Sequence, residues 1–597
     1  MHLEPWPFHE RSFEISCHDS GAIYVKNNIN SGPIFSHILE PLKKWAKEEA
    51  NQVFLAARGS DGGFVKMTYK EAYRSVRAIA SYLLACGYKA GQNAMILSGN
   101  SIEHALFALG ANLAGMTVTS VSEGYSKNLD SFDKLNAIVA KIKPDILFVD
   151  ELSPYKKALD QLGSRAAIFC CKKEAKIGGP YQLYEKMISH PITSACQKAF
   201  DSLHWDMTAR YMLTSGSTGS PKAVLCSHGM ICHEAAFQLA LEKKDIKRVY
   251  VDWHPWSHTM GLNKMFFMVL FTGGTLYIDD GRPTEKDFYK TLLNLKEISP
   301  THYSCVPKGW QMLLNAMEKD RVLAARFFAK LSFLGYGGAP LRGDTREKLE
   351  KLALEVTGRS IFFCTGYGST ETCCVASFVF WQTKENTIGL PIPGVYMKLA
   401  PSGGGFEVRF KGPTITKGYL KAPLATKASF DDEGYFKMGD KVKLIQKDGV
   451  DEKEAILNGL LFCGRLSEQF KLSTGTWVTP GKIRERVLEQ TAPCLREVAV
   501  AGEGEDYVSL LLWPSPEEGR VLEGDKKFVE KVVQGIRKYN SRYEGSSMRV
   551  RRVMLVGDGA REVNDKGVLD QRLALKNRKH LLRELYSSEP GQGVIVV

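Results

Sequence analysis

Apolar and amphipathic segments alternate along the first part of the chain. Residues 70–86 repeat apolar positions at helical spacing and are followed by Gly87, whereas residues 93–98 and 117–121 are apolar runs of strand length. The same patterns predict helices over residues 36–50 and 101–114, and strands over residues 52–57, 65–69, 147–150 and 166–171. Strands that alternate with helices are typical of a wound α/β sheet, which we expect here.

The pattern changes in the second half of the chain. Residues 389–440 form short strand-like runs and turns, which predict a small β subdomain, and the segment 462–478 follows a charged turn. Beyond it the pattern predicts helices over residues 480–489 and 526–539 and strands over residues 497–500, 508–513 and 550–556. We therefore expect a large N-terminal domain, residues 1–462, and a small α+β C-terminal domain, residues 463–597.

A loop of small and hydroxyl-bearing residues lies between two strand-like runs near residue 220 and can wrap an anion. Its glycines let N–H groups converge on phosphate oxygens, its hydroxyls add donors and its lysine adds a mobile charge. The loop consists of Thr214, Ser215, Gly216, Ser217, Thr218, Gly219, Ser220, Pro221 and Lys222. This composition predicts polyphosphate binding.

Two other interpretations of this loop fit less well. A Walker loop has a glycine directly before its lysine and a helix after it, but here Pro221 precedes Lys222 and a strand-like run follows. A flexible linker rich in glycine and serine is not normally flanked by apolar strands. We therefore expect a strand–loop–strand arrangement.

The composition of the 597-residue chain is that of a globular protein, 44% hydrophobic and 24% charged. A formal net charge of +13 favours polyanionic partners, but no basic stretch is interleaved with aromatic residues, so we expect no nucleic acid partner. The thirteen cysteines show no CxxC spacing. No apolar run suits a transmembrane segment or a signal peptide, and we expect a cytoplasmic protein; the sequence indicates no oligomeric state.

Two further stretches carry residues that could contact a ligand. His258 lies in YVDWHPWSHTMG among aromatic residues, although, taken alone, a partly buried histidine in a turn is the more ordinary interpretation. A glycine-rich strand end, FLGYGGAP, would let a flat ring approach the backbone, or is simply a turn. Its candidate residues are Gly337, Gly338, Ala339 and Pro340.

The stretch TGYGSTET places a carboxylate after two hydroxyls and a glycine turn. Because Mg²⁺ favours one or two carboxylates together with phosphate oxygens, Glu371 could hold Mg²⁺ against a nucleotide, and Thr370 could bond a phosphate or carbonyl oxygen. An isolated glutamate is otherwise a solvated surface charge. Gly366, Tyr367 and Gly368 belong to the same turn.

These motifs occur in one order, and the stretch TSGSTGSPK resembles the phosphate loop of the adenylate-forming (AMP-binding) superfamily of acyl-CoA synthetases, adenylation domains and luciferases. The resemblance covers residues 34–571 and is closest to feruloyl-CoA synthases, through ILSGNSIEHALFALGANLAG, DWHPWSHTMG, GGTLYIDDGRP and FKLSTGTWV. It implies the adenylate-forming enzyme fold, α/β with a mobile C-terminal domain.

The resemblance also implies roles for individual residues. His258 would lie at the acid pocket, the segment from Gly337 to Pro340 would cover adenine and Tyr367 would stack on it. Asp440 would bond the ribose hydroxyls, Arg465 would contact ribose or phosphate, and Lys566 would reach the α-phosphate. The C-terminal domain would rotate at about residues 464–467.

The implied activity is that of an ATP-dependent, AMP-forming ligase that joins a carboxylic acid to coenzyme A through an acyl-adenylate. A hydroxycinnamate-like aromatic acid is expected, with ATP, Mg²⁺ and coenzyme A as cofactors. A medium- or long-chain fatty acid, a carrier-protein acceptor and a non-catalytic nucleotide-binding protein are the alternatives. The last of these would be expected to have lost Glu371, Asp440 or Lys566, which are all present.

Three positions depart from the pattern of the resembling proteins. Met438 stands where most of them have threonine, Ser467 where many have aspartate, and the glycine that commonly precedes the lysine follows it here, in Asp565-Lys566-Gly567. The ribose role of Asp440 does not depend on the missing hydroxyl. The change at Ser467 affects the exact pivot rather than the expected rotation.

Overall fold

The computed structural model describes residues 7–32, 34–127, 131–163, 166–172, 181–214, 221–243, 246–338, 341, 343–446, 449–515, 526–543, 545–557, 562, 569–591 and 593–597. Within these residues the chain divides into two compact units. Unit 1 comprises Met1–Lys398, Arg409–Lys437 and Gln446–Leu460, and unit 2 comprises Leu399–Val408, Met438–Ile445 and Leu461–Val597. The boundary predicted at residues 462–463 stays a prediction.

The strands of unit 1 belong to a hairpin and three sheets. In chain order they are β1 Phe13–Cys17, β2 Ile23–Asn27, β3 Val53–Arg58, β4 Phe64–Thr68, β5 Asn93–Ile96, β6 Thr117–Ser120, β7 Ile146–Glu151, β8 Ala167–Lys172, β9 Tyr181–Leu183, β10 Thr208–Thr214, β11 Lys222–Ser227, β12 Val249–Asp252, β13 Thr275–Ile278, β14 His302–Cys305, β15 Phe333–Tyr336, β16 Phe363–Tyr367, β17 Ser377–Val379 and β18 Leu390–Pro391.

The helices of unit 1 cover these sheets. They are α1 Glu40–Glu48, α2 Tyr69–Ala85, α3 Ile102–Leu113, α4 Asp133–Ile142, α5 Lys156–Leu162, α6 Glu185–Ile188, α7 Ser194–Ser202, α8 His228–Leu241, α9 Phe267–Thr272, α10 Phe288–Glu297, α11 Pro307–Lys319, α12 Arg321–Phe328, α13 Gly343–Thr357, α14 Pro423–Ala428 and α15 Glu452–Leu457. A π-helical turn, Met260–Phe266, directly precedes α9.

The largest sheet of unit 1 has the strand order β11-β10-β6-β5-β7-β8-β9. Its strands run parallel except for the antiparallel pair β10 and β11. The two smaller sheets have the orders β12-β13-β3-β4 and β14-β15-β16-β17-β18. Buried apolar side chains of α2, α3 and the central strands form one core. This is the predicted wound α/β arrangement.

Local sequence explains where the N-terminal helices begin. Thr68 and Glu71 form a capping box, in which the Thr68 hydroxyl accepts from the Glu71 N–H at 3.3 Å and the Glu71 carboxylate accepts from the Thr68 N–H at 2.9 Å. Ser101 caps α3 by accepting from the N–H of His104 at 3.0 Å. These caps place both helix starts within one residue of their predicted positions.

Unit 2 contains a four-stranded sheet with helices packed on it. Its elements are β23 Phe470–Lys471, β24 Trp477–Val478, α16 Pro480–Gln490, β25 Leu495–Ala501, β26 Val508–Pro514, α17 Lys526–Asn540, β27 Val550–Leu555, α18 Gln571–Asn577, α19 Lys579–Tyr586 and β28 Val594–Val596. The sheet order is β25-β26-β27-β28. The predicted α+β pattern is confirmed, whereas α18, α19 and β28 were not predicted.

Four strands contain or adjoin the points at which the chain passes from one unit to the other. They are β19 Tyr396–Pro401, β20 Phe406–Lys411, β21 Phe436–Leu444 and β22 Leu460–Arg465. In the described part of the chain, no helix is long and apolar enough to cross a membrane.

Candidate nucleotide and acid site

The phosphate-loop candidates lie at the mouth of a β-hairpin. Thr214 ends β10, Lys222 begins β11, and the two residues face each other in the antiparallel register. The structure therefore has a strand on each side of the loop, as predicted, rather than the strand and helix of a Walker motif. Five further candidates of this loop lie outside the described residues: Ser215, Gly216, Ser217, Thr218 and Gly219.

The carboxylate candidate lies in a tight turn that follows β16. Glu371 belongs to a 3-10 turn, Thr370–Thr372, whose start is capped by Ser369. The Ser369 hydroxyl accepts from the Glu371 N–H at 3.2 Å and donates to Glu371 Oε2 at 2.8 Å. Gly368 is required here because a Cβ at this position would lie 2.2 Å from the Cys374 carbonyl oxygen. The turn thus fixes both the backbone and one carboxylate oxygen of Glu371.

Tyr419 connects Glu371 with the phosphate-loop lysine. Its phenol donates to Glu371 Oε1 at 2.9 Å, and Lys222 Nζ lies 4.7 Å from the centre of its ring. Burial, followed by the neighbouring Glu371 charge, raises the pKa of Tyr419, which therefore stays a neutral donor. The sequence analysis did not assign a role to Tyr419, although the stretch KGYLKAPLATKASF that contains it was a possible signal.

The backbone around Tyr419 is held against β11. The Leu225 N–H donates to the Gly418 carbonyl at 3.1 Å, and the Leu420 N–H donates to the Ala223 carbonyl at 2.8 Å. The Thr416 N–H donates to the Glu371 carbonyl at 2.8 Å. These bonds place the phosphate-loop strand, the Tyr419 segment and the Glu371 turn in one hydrogen-bonded arrangement.

The ring-covering candidates lie at the end of the strand next to β16. Tyr336 of β15 pairs with Thr365 of β16, so that the residues following both strands leave the sheet at the same edge. Gly337 and Gly338 come directly after β15, and Gly338 has a φ of +80°, which favours glycine. The predicted residues Ala339 and Pro340 lie outside the described residues.

The turn after β16 also contains Gly366 and Tyr367. A Cβ on Gly366 would lie 3.0 Å from Val375, so this position takes only a small residue without a shift of its neighbour. The Tyr367 ring lies 6.2 Å from the Phe410 ring, centre to centre. The adenine-stacking role of Tyr367 stays a prediction.

His258 lies just before the π-helical turn. Its carbonyl accepts from the Leu262 N–H at 3.1 Å, and its own N–H donates to the Pro255 carbonyl at 3.0 Å. A Cβ on Gly337 would lie 3.8 Å from Met260 Sδ, so the turn after His258 faces the backbone of the ring-covering segment. A π-helical turn inside an α-helical segment often occurs at functional sites.

A second histidine of this segment was missed by the sequence analysis. His254 is buried, and its Nδ1 lies 2.5 Å from Asp252 Oδ1. Its ring stacks on Trp253, with ring centres 4.3 Å apart. Asn100 fixes the backbone on both sides, because its amide donates to the His254 carbonyl at 2.9 Å and its oxygen accepts from the Trp256 N–H at 2.9 Å.

The ribose and hinge candidates belong to unit 2. Asp440 is buried in β21, and Arg465 ends β22 with Nε 3.1 Å from Asp440 Oδ1. Ser467, in the predicted hinge, accepts a hydrogen bond from Arg572 through its carbonyl. Lys566 lies outside the described residues. The roles of Asp440, Arg465 and Lys566 stay predictions.

Family models match most of the chain. A model described as AMP-binding enzyme matches residues 42–420, and one described as AMP-binding enzyme C-terminal domain matches residues 467–590. The chain belongs to the AMP-binding enzyme family. The match supports the family, whereas the more specific resemblance to feruloyl-CoA synthases stays a prediction.

Curated relatives of this AMP-binding enzyme are distant in sequence. Acyl-CoA synthetase 7 of Caenorhabditis elegans is 24% identical over 536 residues, covering 85% of this chain and 91% of the relative. Phenylacetyl-CoA ligase epaB of Aspergillus niger is 24% identical over 449 residues, covering 73% of this chain and 79% of the relative. Family membership and these relatives support the class of AMP-forming CoA ligases.

Solved structures show the same fold. A crystal structure of the anthranilate CoA ligase AuaEII in complex with anthranoyl-AMP has a TM-score of 0.71 and 17% sequence identity, and covers 93% of this chain and 99% of that chain. The predicted adenylate-forming enzyme fold is thereby confirmed.

Proposed function

We propose that this AMP-binding enzyme is an AMP-forming acid–CoA ligase that acts on hydroxycinnamate-like aromatic acids. The observation that carries the proposal is the contact chain from Lys222 through Tyr419 to Glu371, which joins the lysine of the predicted phosphate loop to a carboxylate. Family membership and relatives that are CoA ligases support the reaction class.

The first chemical step forms an acyl-adenylate. A carboxylate oxygen of the acid forms a bond to the α-phosphorus of ATP, the bond from that phosphorus to the bridging oxygen breaks, and pyrophosphate leaves with the electron pair. Negative charge gathers on the oxygens around the α-phosphorus, and donors fixed in advance stabilise it. Lys222 and the hydroxyls of the phosphate loop supply such donors, and Lys566 is proposed to reach the α-phosphate.

Glu371 is suited to hold Mg²⁺. The described residues contain no group of three or more histidine, cysteine, aspartate or glutamate side chains that could bind a metal on their own. A single carboxylate fits Mg²⁺ nonetheless, because this ion commonly takes one or two carboxylates and completes its shell with phosphate oxygens and water. Ser369 and Tyr419 orient one oxygen each. Bound there, the ion would neutralise phosphate charge.

The second step transfers the acyl group. The thiol of coenzyme A, having lost its proton, forms a bond from sulfur to the adenylate carbonyl carbon, and AMP leaves with the electron pair of the broken C–O bond. We propose that residues 463–597 rotate at about residues 464–467 between the steps, that Asp440 bonds the ribose hydroxyls and that Arg465 contacts the ribose or a phosphate. Lys566→Ala should then abolish adenylate formation but spare thioester formation from preformed acyl-AMP. Equal loss of both steps would contradict the rotation.

The aromatic acid is proposed from three stretches, DWHPWSHTMG, GGTLYIDDGRP and FKLSTGTWV, which resemble feruloyl-CoA synthases. His258 would lie beside the acid, since the turn that follows it faces Gly337 through Met260.

The test is pyrophosphate release with Mg-ATP across a panel of hydroxycinnamic and fatty acids, each with and without coenzyme A. We expect release with the aromatic acids, and a thioester product only with coenzyme A. Release with fatty acids alone would overturn the substrate class. No release with any acid, from protein that still binds ATP, would overturn the activity.

A further inference from the structure

A buried carboxylate and a buried ammonium nitrogen lie near the segment that follows the Glu371 turn. Glu234 is in α8 and Lys264 is in the π-helical turn, and the Glu234 side chain is fully buried. Burial raises the pKa of Glu234 to about 8 and lowers the pKa of Lys264, while each charge opposes the shift of the other. The charges of Glu234 and Lys264 therefore interact with each other.

The two groups are incompletely bonded within the described part of the chain. Glu234 Oε2 accepts from the Val375 N–H at 3.3 Å, whereas Glu234 Oε1 and Lys264 Nζ have no hydrogen-bond partner there. The carboxylate and the ammonium do not approach within the 4.0 Å of an ion pair. A single group that both donates and accepts, placed between them, would satisfy both atoms at once.

The position of this pair connects it to the candidate acid site. Lys264 follows Met260, which faces Gly337, and its neighbour Asn263 donates to the Cys373 carbonyl at 2.7 Å, two residues after Glu371. Aromatic rings flank the ammonium, because Lys264 Nζ lies 4.5 Å from the ring centre of Phe237 and 5.6 Å from that of Phe378.

Energetics favours an external partner over a purely structural pair. A buried ion pair is compensated only when its geometry is good and its remaining atoms are hydrogen-bonded, and each buried polar group that is left unsatisfied destabilises the folded protein. A hydroxyl satisfies both groups, because its oxygen accepts from Lys264 and its hydrogen is donated to Glu234. The Phe237 and Phe378 rings beside the ammonium give the pair apolar, aromatic surroundings.

We propose that Lys264 and Glu234 bind a ring hydroxyl of the acid substrate and thereby select hydroxylated aromatic acids. This inference rests on the proposed function, since it names the residues that bind the ring hydroxyl of the proposed acid substrate. A site built to hydrogen-bond a substrate hydroxyl rejects the analogue that lacks it, often by roughly 10⁴-fold, because its buried polar groups are then left unpaired.

The test compares kcat/KM for 4-hydroxycinnamate, cinnamate and 4-methylcinnamate, measured by pyrophosphate release. We expect the wild type to prefer the hydroxylated acid over both analogues by at least about a hundredfold. The double variant Glu234→Gln/Lys264→Met should reduce this ratio to within a few-fold. It removes both charges together, which is much less damaging than leaving one of them buried and unpaired.

The matched control is Lys351→Met, which removes an exposed lysine of α13 whose side chain is 78% accessible. It should keep the wild-type ratio, and thermal unfolding of each variant checks that it is folded. A purely structural pair would change stability but leave the ratio between acids unchanged, and that result would overturn the inference. Failure of the proposed function is distinguishable, because no acid would then release pyrophosphate even from the wild type.

Discussion

Two buried glutamates of one helical segment, Glu234 and Glu242, differ in their hydrogen-bond partners. Glu242, which directly follows α8, accepts from Arg248 at 2.7 Å and from the Gln238 amide at 2.9 Å. Glu234 lies eight residues earlier in the chain. Among the described residues it accepts only from the Val375 N–H, at 3.3 Å, and it forms no ion pair with Lys264.

The two cases differ in whether the buried charged groups form a direct ion pair. Glu242 and Arg248 form one, with side chains that are 4% and 0% exposed, although Arg248 Nε has no hydrogen-bond partner among the described residues. The Glu234 carboxylate and the Lys264 ammonium lack such a direct ion pair within the described residues. Neither burial nor an unsatisfied atom by itself indicates function; the missing ion pair next to the candidate site is what distinguishes Glu234 and Lys264 from Glu242 and Arg248.

The largest expected effect is a loss of stability when the Glu242–Arg248 ion pair is broken. Arg248→Met would leave Glu242 buried without its counter-charge, and we expect the free energy of unfolding to fall by about 3–5 kcal/mol. The ratio of kcat/KM between hydroxylated and unsubstituted acids should not change. Urea unfolding measures the first quantity and pyrophosphate release the second. A changed ratio would show that the two glutamates are not distinct in role.

The next effect is a pH dependence of stability that arises from Glu234. Its pKa rises from 4.5 to about 8 on folding, so the folded state holds the proton more tightly and this contribution is complete below pH 4.5. It is lost as the pH rises towards 8. Lys264 faces the carboxyl and opposes the shift.

Glu234→Gln should remove this contribution. Relative to the variant, the wild type should lose roughly 2–4 kcal/mol of stability between pH 5 and pH 8, because each pKa unit is worth about 1.4 kcal/mol. Urea unfolding of both proteins at several pH values measures the difference. Parallel pH profiles would mean that Glu234 is already ionised at neutral pH and paired with Lys264.

A third glutamate extends the comparison to the edge of the site. Glu371 is only partly buried, and two hydroxyls orient its carboxylate. Tyr419→Phe removes one hydrogen bond to a charged group, worth about 1.5–3 kcal/mol, and should lower kcat/KM for Mg-ATP by about tenfold to a hundredfold. Saturating Mg²⁺ should recover part of the loss. An unchanged dependence on Mg²⁺ would separate Tyr419 from the metal.

The smallest effect is expected at an exposed ion pair. Arg321 lies 3.0 Å from Glu355, but their side chains are 58% and 43% accessible. Solvent screens such a pair, so Arg321→Ala should change the free energy of unfolding by less than about 1 kcal/mol and leave activity unchanged. A larger loss in urea unfolding would show that exposure is a poor guide to the value of charged pairs in this protein.

The sequence by itself determined the local elements and the family. The helix predicted at residues 101–114 lies at Ile102–Leu113, and the strand predicted at residues 508–513 lies at Val508–Pro514, because apolar periodicity and end signals act over a few residues. The motif TSGSTGSPK pointed to the matched family for a similar reason, since a phosphate loop needs its residue types in one continuous stretch.

Only the tertiary structure decided which distant side chains meet. Tyr419 donates a hydrogen bond to Glu371, 48 residues away in the chain, and its ring contacts the Lys222 ammonium. Lys264 and Glu234 interact although they belong to different elements. No local pattern predicts such contacts, because they depend on strand register and helix packing rather than on neighbours in the chain. The sequence thus located the loop and the turn, while folding brought Tyr419 between them and placed Glu234 and Lys264 near the turn.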